Sequence, residues 1–184
     1  MKLNRIRRRV AVAGIDPSLS STGMAFEGGT DTFENYRKGM DRIVYILSRI
    51  EKRLVSEKIT HAAIEGYFIM PGRLEGALGM AELAGTIKLL LLARGIPTIV
   101  VPPTALKKYV TGKGNASKPE VMLAIKKRWG KSFTQSDRAD AYGLMRFGQD
   151  WFSGHEGVRK TEFRKVEQLT PNSDLQSIAL SFLV

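Results

Sequence analysis

Val10-Ala11-Val12-Ala13-Gly14-Ile15-Asp16-Pro17-Ser18-Leu19-Ser20-Ser21-Thr22-Gly23-Met24-Ala25-Phe26-Glu27 decides the fold of this chain. Residues 10–15 form an unbroken apolar run of buried-strand length. Pro17 to Thr22 are turn formers, and Gly23 to Glu27 read as a second strand returning beside the first. Asp16 closes the first strand. A carboxylate at the end of a buried strand gains nothing from the core and has to be desolvated, so its position there calls for a chemical reason.

Reading outward, Thr32 to Tyr36 follow Gly28-Gly29 as a third strand, which gives the chain an antiparallel opening. Ile43, Ile46, Leu47, Ile50 and Leu54 then recur at helical spacing. His61 to Glu65 form a strand that again ends on an acid. Leu74 to Arg94 read as a helix, and Ile96 to Val101 as a short apolar strand. Strand, helix, strand, helix, strand is the crossover pattern of parallel pairing. Ser117 and Glu120 make a capping box that opens a helix to about Trp129, and a last helix runs from about Gln135 to Gln149. The expected fold is α/β: one mixed sheet, antiparallel strands first and parallel strands after, flanked by helices. A chain of 184 residues suits one such domain. We place it at residues 10–150, with a basic arm at 1–9 and a tail at 151–184 whose role the pattern does not reveal. Within that tail, 153–174 is polar and aperiodic, and 175–184 is a short apolar end.

Composition narrows the partners. Lys and Arg number 29 against 18 Asp and Glu, a formal net charge of +11 that points to an anionic partner, nucleic acid first. There is no cysteine and there are only two histidines, His61 and His155, so a metal here would be oxygen-bound. That favours Mg²⁺ or Mn²⁺ over zinc. The longest apolar run, Leu89 to Ala93 between Lys88 and Arg94, is short for a membrane span, and the apolar stretch after Met1 to Arg9 is short for a signal core. An intracellular protein without a membrane partner is expected, in which the Asn115 sequon is idle.

Four acids carry the chemistry: Asp16 and Glu65 at strand ends, and Asp137 and Asp140 at i and i+3 on one helix face. Two strand ends and a helix face can meet at a point and hold two Mg²⁺ ions about 4 Å apart, clamping the attacking and leaving oxygens of a phosphodiester. Taken singly, each acid has a plainer reading. Asp16-Pro17-Ser18 fits a turn, and Thr134 to Asp137 fits a capping box. Together they favour a metal centre with water as nucleophile.

Basic residues cluster too: Lys107, Lys108, Lys113, Lys118, Lys126, Lys127, Arg128 and Lys131 stand against the single acid Glu120, and the arm adds Lys2, Arg5, Arg7, Arg8 and Arg9. Lys107 and Lys118, flanking Gly112-Lys113-Gly114, are expected on phosphate, whereas Lys126 to Lys131 fit a solvated helix face equally well. The glycine loop is not a Walker A, because Ser117 stands where a glycine is required and Pro119 follows Lys118. In Tyr67-Phe68-Ile69-Met70-Pro71-Gly72, Phe68 either stacks on a base or folds back into the core. Gly76, Gly79 and Gly85 each cost up to about 1 kcal/mol inside a helix relative to Ala. Close approach of a second backbone, from the chain's own sheet or a second subunit, would justify them.

Taken in order, Gly14-Ile15-Asp16-Pro17-Ser18 with Thr22-Gly23, Ala63-Ile64-Glu65 with Phe68, Val110 to Lys118, and Asp137-Arg138-Ala139-Asp140-Ala141 resemble the RuvC-type Holliday junction resolvases of the ribonuclease H-like superfamily. The resemblance covers about residues 10–149. It implies a homodimeric, Mg²⁺-dependent endonuclease of DNA recombination and repair that cuts two opposed strands of a four-way junction. It further implies Asp16, Glu65, Asp137 and Asp140 as the catalytic, metal-holding acids. Lys107 and Lys118 match lysines that support DNA binding and cleavage, and Phe68 matches an aromatic that enters the junction. Ser18 departs from a usual glycine. Two rivals stand beside this reading: an actin-like or sugar-kinase ATPase, which needs a second lobe and further glycine-rich loops for which 184 residues are too few, and a basic DNA-architectural protein on a dead nuclease fold, against which all four acids argue.

Overall fold

The structure, a computed structural model, describes residues 10–66, 74–154, 163, 165–174 and 176–177. Three strands open the chain: β1 (Val12–Asp16), β2 (Ser21–Phe26) and β3 (Gly29–Glu34). Helix α1 (Gly39–Ser56) leads to β4 (His61–Glu65), and α2 (Leu74–Ala93) leads to β5 (Thr98–Val101). Three helices follow, α3 (Pro103–Thr111), α4 (Lys118–Trp129) and α5 (Ser136–Ser153), and then a last strand, β6 (Glu167–Leu169). The six strands lie in the order β3-β2-β1-β4-β5-β6. β1, β4 and β5 pair in parallel and the other neighbours antiparallel, as the crossover reading required.

Two core layers form because strand side chains alternate. Ala13, Ile15, Ala62 and Ile64 point to the α1 and α2 side, with Ile43, Ile46, Ile50, Leu83, Ile87 and Leu91. Val12, Ala63, Ile99 and Val101 point to the α3, α4 and α5 side, with Leu106, Ile125, Leu144 and Phe147. The same alternation sends residues 14, 16 and 65 to the α5 side. Helix α5 lies across β1, β2 and β4 at very short range, and two glycines permit it. A Cβ on Gly14 would sit 2.1 Å from the Ala141 carbonyl oxygen, and one on Gly23 would sit 2.3 Å from the Asp137 carbonyl oxygen.

Two elements are absent from the sequence reading. Helix α3 is nine residues long, too short for its periodicity to stand out, though Pro103 at its first turn and left-handed Gly112 at its end are regular boundary signals. Strand β6 comes from the stretch without periodicity. It closes the edge of β5 and brings Phe163 into the core beside Phe147, with ring centroids 5.1 Å apart. Residues 76–93 of α2 are also long and apolar enough, by length and composition, to cross a membrane, which the short run Leu89 to Ala93 does not suggest. Leu83, Ala84, Ile87 and Leu91 bury one side of the helix against the sheet layer, while Leu78 and Leu89 stand exposed on the other.

Candidate active site

Asp16 is the last residue of β1, and Glu65 the last of the neighbouring β4. The parallel register pairs Ile15 with Ile64, so the two acids occupy the next rung on the α5 face. Asp137 and Asp140 lie in the first turns of α5, which Gly14 and Gly23 allow to settle onto those strand ends. All four line one cleft of about 310 Å³, together with Ser18, Leu106, Lys107 and Lys118. All four are half-buried.

This concentration of negative charge shows in proton affinity. Burial raises Asp16 well above the usual carboxylate range, and the charges of Glu65, Asp140 and Asp137 raise it further. Burial and then the Asp140 charge raise Glu65 from 4.5 to about 7, against a hydrogen bond with Asp16 and the pull of Lys107 and Lys118. Asp140 is raised by burial and by Asp137, and lowered by the same two lysines. The Asp16 and Glu65 carboxyls are near enough to share a hydrogen bond.

The alternative reading of Asp137 as a capping residue does not hold. The helix begins after Gln135 with no side-chain cap, and the Asp137 carboxylate accepts from Ser21 Oγ at 2.6 Å and Ser136 Oγ at 3.1 Å. The Ser117 capping box does form: the Ser117 backbone N–H and hydroxyl both donate to Glu120 Oε2 at 2.7 Å. Ser18, where the resemblance expects glycine, accepts the Ser21 N–H at 3.3 Å on its hydroxyl and so orders the turn at the cleft mouth.

Of the expected DNA-contacting residues, Lys107 on α3 and Lys118 at the start of α4 reach the cleft. Lys108 and Lys113 are exposed and do not line it. Phe68 lies outside the described residues. Arg128, counted among the basic residues, donates to the Tyr109 carbonyl at 2.7 Å and lies over the Tyr109 and Trp129 rings, so it braces α3 against α4. Ser21 and Ser136 touch the site and were not anticipated. Ser136 adjoins Asp137, but Ser21 is 116 positions away and carries no sequence signal for the contact.

The donor set is all oxygen, half-buried and over-rich in negative charge, which fits hard divalent cations. Among the described residues, no three acid or histidine side chains are close enough in this conformation to hold one ion. To hold one ion the carboxylates would have to swing together, with the cation's charge offsetting their mutual repulsion.

The mixed six-stranded sheet, with three antiparallel opening strands, parallel β1, β4 and β5 and helices on both faces, is that of the ribonuclease H-like fold. Residues 12–144 match the family model described as crossover junction endodeoxyribonuclease RuvC, and the chain belongs to that family. Its activity is that of an endonuclease for crossover junctions in DNA, dependent on a divalent metal. The RuvC of Brachyspira hyodysenteriae is 29% identical over 143 residues, covering 71% of this chain and 88% of that protein. The RuvC of Rickettsia typhi is 30% identical over 146 residues, covering 72% and 92%. A solved structure of Thermus thermophilus RuvC in complex with a Holliday junction substrate superposes with a TM-score of 0.70 at 20% identity, over 88% of this chain and all of that one.

Proposed function

We propose that Asp16, Glu65, Asp137 and Asp140 bind two divalent ions, Mg²⁺ with Mn²⁺ as a substitute, and that the chain resolves four-way junctions there by paired nicks on opposed strands. The observation that carries this reading is the convergence of the four acids, from three elements far apart in sequence, on one cleft. When bound, the cations would polarise the scissile phosphate and activate water for in-line displacement. The chain's own groups hold the carboxylates in place, and Lys107 and Lys118 meet the phosphate on the DNA side of the cleft. Lys108 and Lys113 follow the backbone further out, and Phe68 enters the crossover.

One site cuts one strand, so symmetric nicks call for two chains about a two-fold axis. The outward side of α2 supports a homodimer, because Leu78 and Leu89 are exposed there and a Cβ on Gly85, on the same side, would meet nothing within 4 Å. The nuclease body is built on residues 10–150, to which 151–184 adds Phe163 in the core and β6 at the sheet edge, with 1–9 as a basic arm, and the protein works inside the cell on its DNA.

A synthetic four-way junction tests the assignment, incubated with each amide variant (Asp16→Asn, Glu65→Gln, Asp137→Asn, Asp140→Asn) with and without Mg²⁺. Cutting should be lost in each, while binding persists or tightens as repulsion toward phosphate falls. An acid whose variant cuts at the wild-type rate is not a metal ligand.

A further inference from the structure

Both carboxylate oxygens of Asp137 are held by hydroxyls. Ser21, at the start of β2, donates to Oδ2 at 2.6 Å, and Ser136 donates to Oδ1 at 3.1 Å. The direction of the second bond is fixed by Lys118. Its ammonium can only donate and lies 3.1 Å from Ser136 Oγ, so Ser136 accepts there and its one O–H is left for Asp137. Neither serine is occupied by the backbone's needs. The strand pairing of Ser21 with Glu34 runs through main-chain groups, and the start of α5 uses no side-chain cap. The neighbouring Thr22 shows the contrast: its hydroxyl donates to the Ser18 carbonyl at 2.7 Å and serves the local turn, while that of Ser21 reaches across to α5.

We propose that Ser21 and Ser136 are positioning residues that fix the Asp137 carboxylate for the divalent ion, with Lys118 orienting Ser136. The proposal rests on the reading of Asp137 as a metal ligand. A carboxylate has about four lone-pair sites, and two hydroxyl donors leave one on each oxygen for a cation. Without the donors, the Asp137 side chain is free to rotate, and ordering it falls to the metal-binding step. Partners that orient a ligand in this way change metal affinity by about 10–100-fold when removed. Gly23 is part of the arrangement, because only a residue without Cβ lets the Asp137 backbone come close enough for Ser21 to reach the carboxylate.

The test is a calorimetric titration of the full chain with Mn²⁺, without DNA, on Ser21→Ala, Ser136→Ala and the double variant, beside Ser21→Thr and Ser136→Thr. Each alanine variant should weaken Mn²⁺ binding about tenfold. The threonine variants, which keep the hydroxyl, should restore it. Four-way junction binding without divalent ions should be unchanged throughout, and cutting by the alanine variants should recover at high Mn²⁺ with the KM for junction unaltered. A double variant that binds Mn²⁺ within about twofold of wild type, well inside the range such partners command, overturns the proposal. Asp137→Asn, run alongside, separates the two claims. If it binds Mn²⁺ like wild type, Asp137 is not a ligand and the underlying reading falls; if it loses affinity while the serine variants keep theirs, only the role of the hydroxyls falls.

Discussion

Burial and the charge of Asp140 raise Glu65 to about 7 although Lys107 and Lys118 pull it down. The folded chain therefore binds this proton more tightly than the unfolded chain, whose glutamates titrate near their ordinary value. Without metal, Glu65 contributes stability in full below about pH 4.5, and that contribution is lost as pH rises through about 7. Glu65→Gln removes the charge that costs the fold, so at pH 8 in EDTA it should be more stable than wild type by about 1–2 kcal/mol, discounted for partial exposure. At pH 4 the two should coincide. Thermal melts across that range check it, and an equal difference at both pH values would refute the shift. Protons and cations compete for the same oxygens, so junction cutting should rise through neutral pH, and more Mg²⁺ should move the rise to lower pH. The sequence makes Glu65 visible as an acid closing an apolar strand. Its proton affinity is not visible, because it depends on Asp140 and on Lys107 and Lys118, which reach it only in the folded chain.

At the scale of elements, the contact of α5 with β1 sets where two of the four acids stand. The Cβ of Gly14→Ala would meet Ala141 and Met145 backbone atoms at 2.1 and 2.3 Å, which no side-chain rotation relieves. Helix α5 must lift, carrying Asp137 and Asp140 away from Asp16. Overpacking of this kind costs about 1–3 kcal/mol, and a shift of about 1 Å at a reacting centre costs about 10²-fold in rate. Urea denaturation and single-turnover cutting should show both losses, and a variant equal to wild type in both would mean the helix yields without moving its acids. At the other edge, Phe163 packs on Phe147 beneath β6. Phe163→Ala should cost about 3 kcal/mol by the same denaturation, whereas a tail independent of the body would leave stability unchanged. Helix α1, α2, α4 and α5 were readable from periodicity and caps. α3 and β6 were not, since nine residues and three residues carry too little pattern.

For the whole molecule, a net charge of +11 and an uncovered apolar side of α2 act together. The charge draws the chain to DNA, and in the proposed dimer the apolar side would meet a second copy. Gly85 faces open space, so Gly85→Leu should leave the monomer fold intact while obstructing close approach of a partner helix. Sedimentation should then report a folded monomer that binds junctions without resolving them. If the same variant unfolds, α2 is packed on its own chain. A mixed dimer carrying one Asp16→Asn subunit should nick one strand and leave the junction unresolved; paired cuts by that dimer would sink the one-site-per-strand arrangement.

By itself the sequence determined the antiparallel opening, the parallel crossover order, the four acids and the basic surplus. These are written in local pattern: strand and helix periods, residues at element ends, and a charge count. Tertiary structure alone decided that Asp137 is held by Ser21 rather than serving as a cap, and that Lys107 and Lys118 face the cleft while Lys108 and Lys113 do not. It also decided that 167–169 completes the sheet and that Gly14 and Gly23 are the surfaces on which α5 rests. The physical reason is range. Alternation and capping act within a few residues, whereas desolvation, carboxylate repulsion and backbone-to-backbone packing depend on atoms that the chain brings together only when it closes.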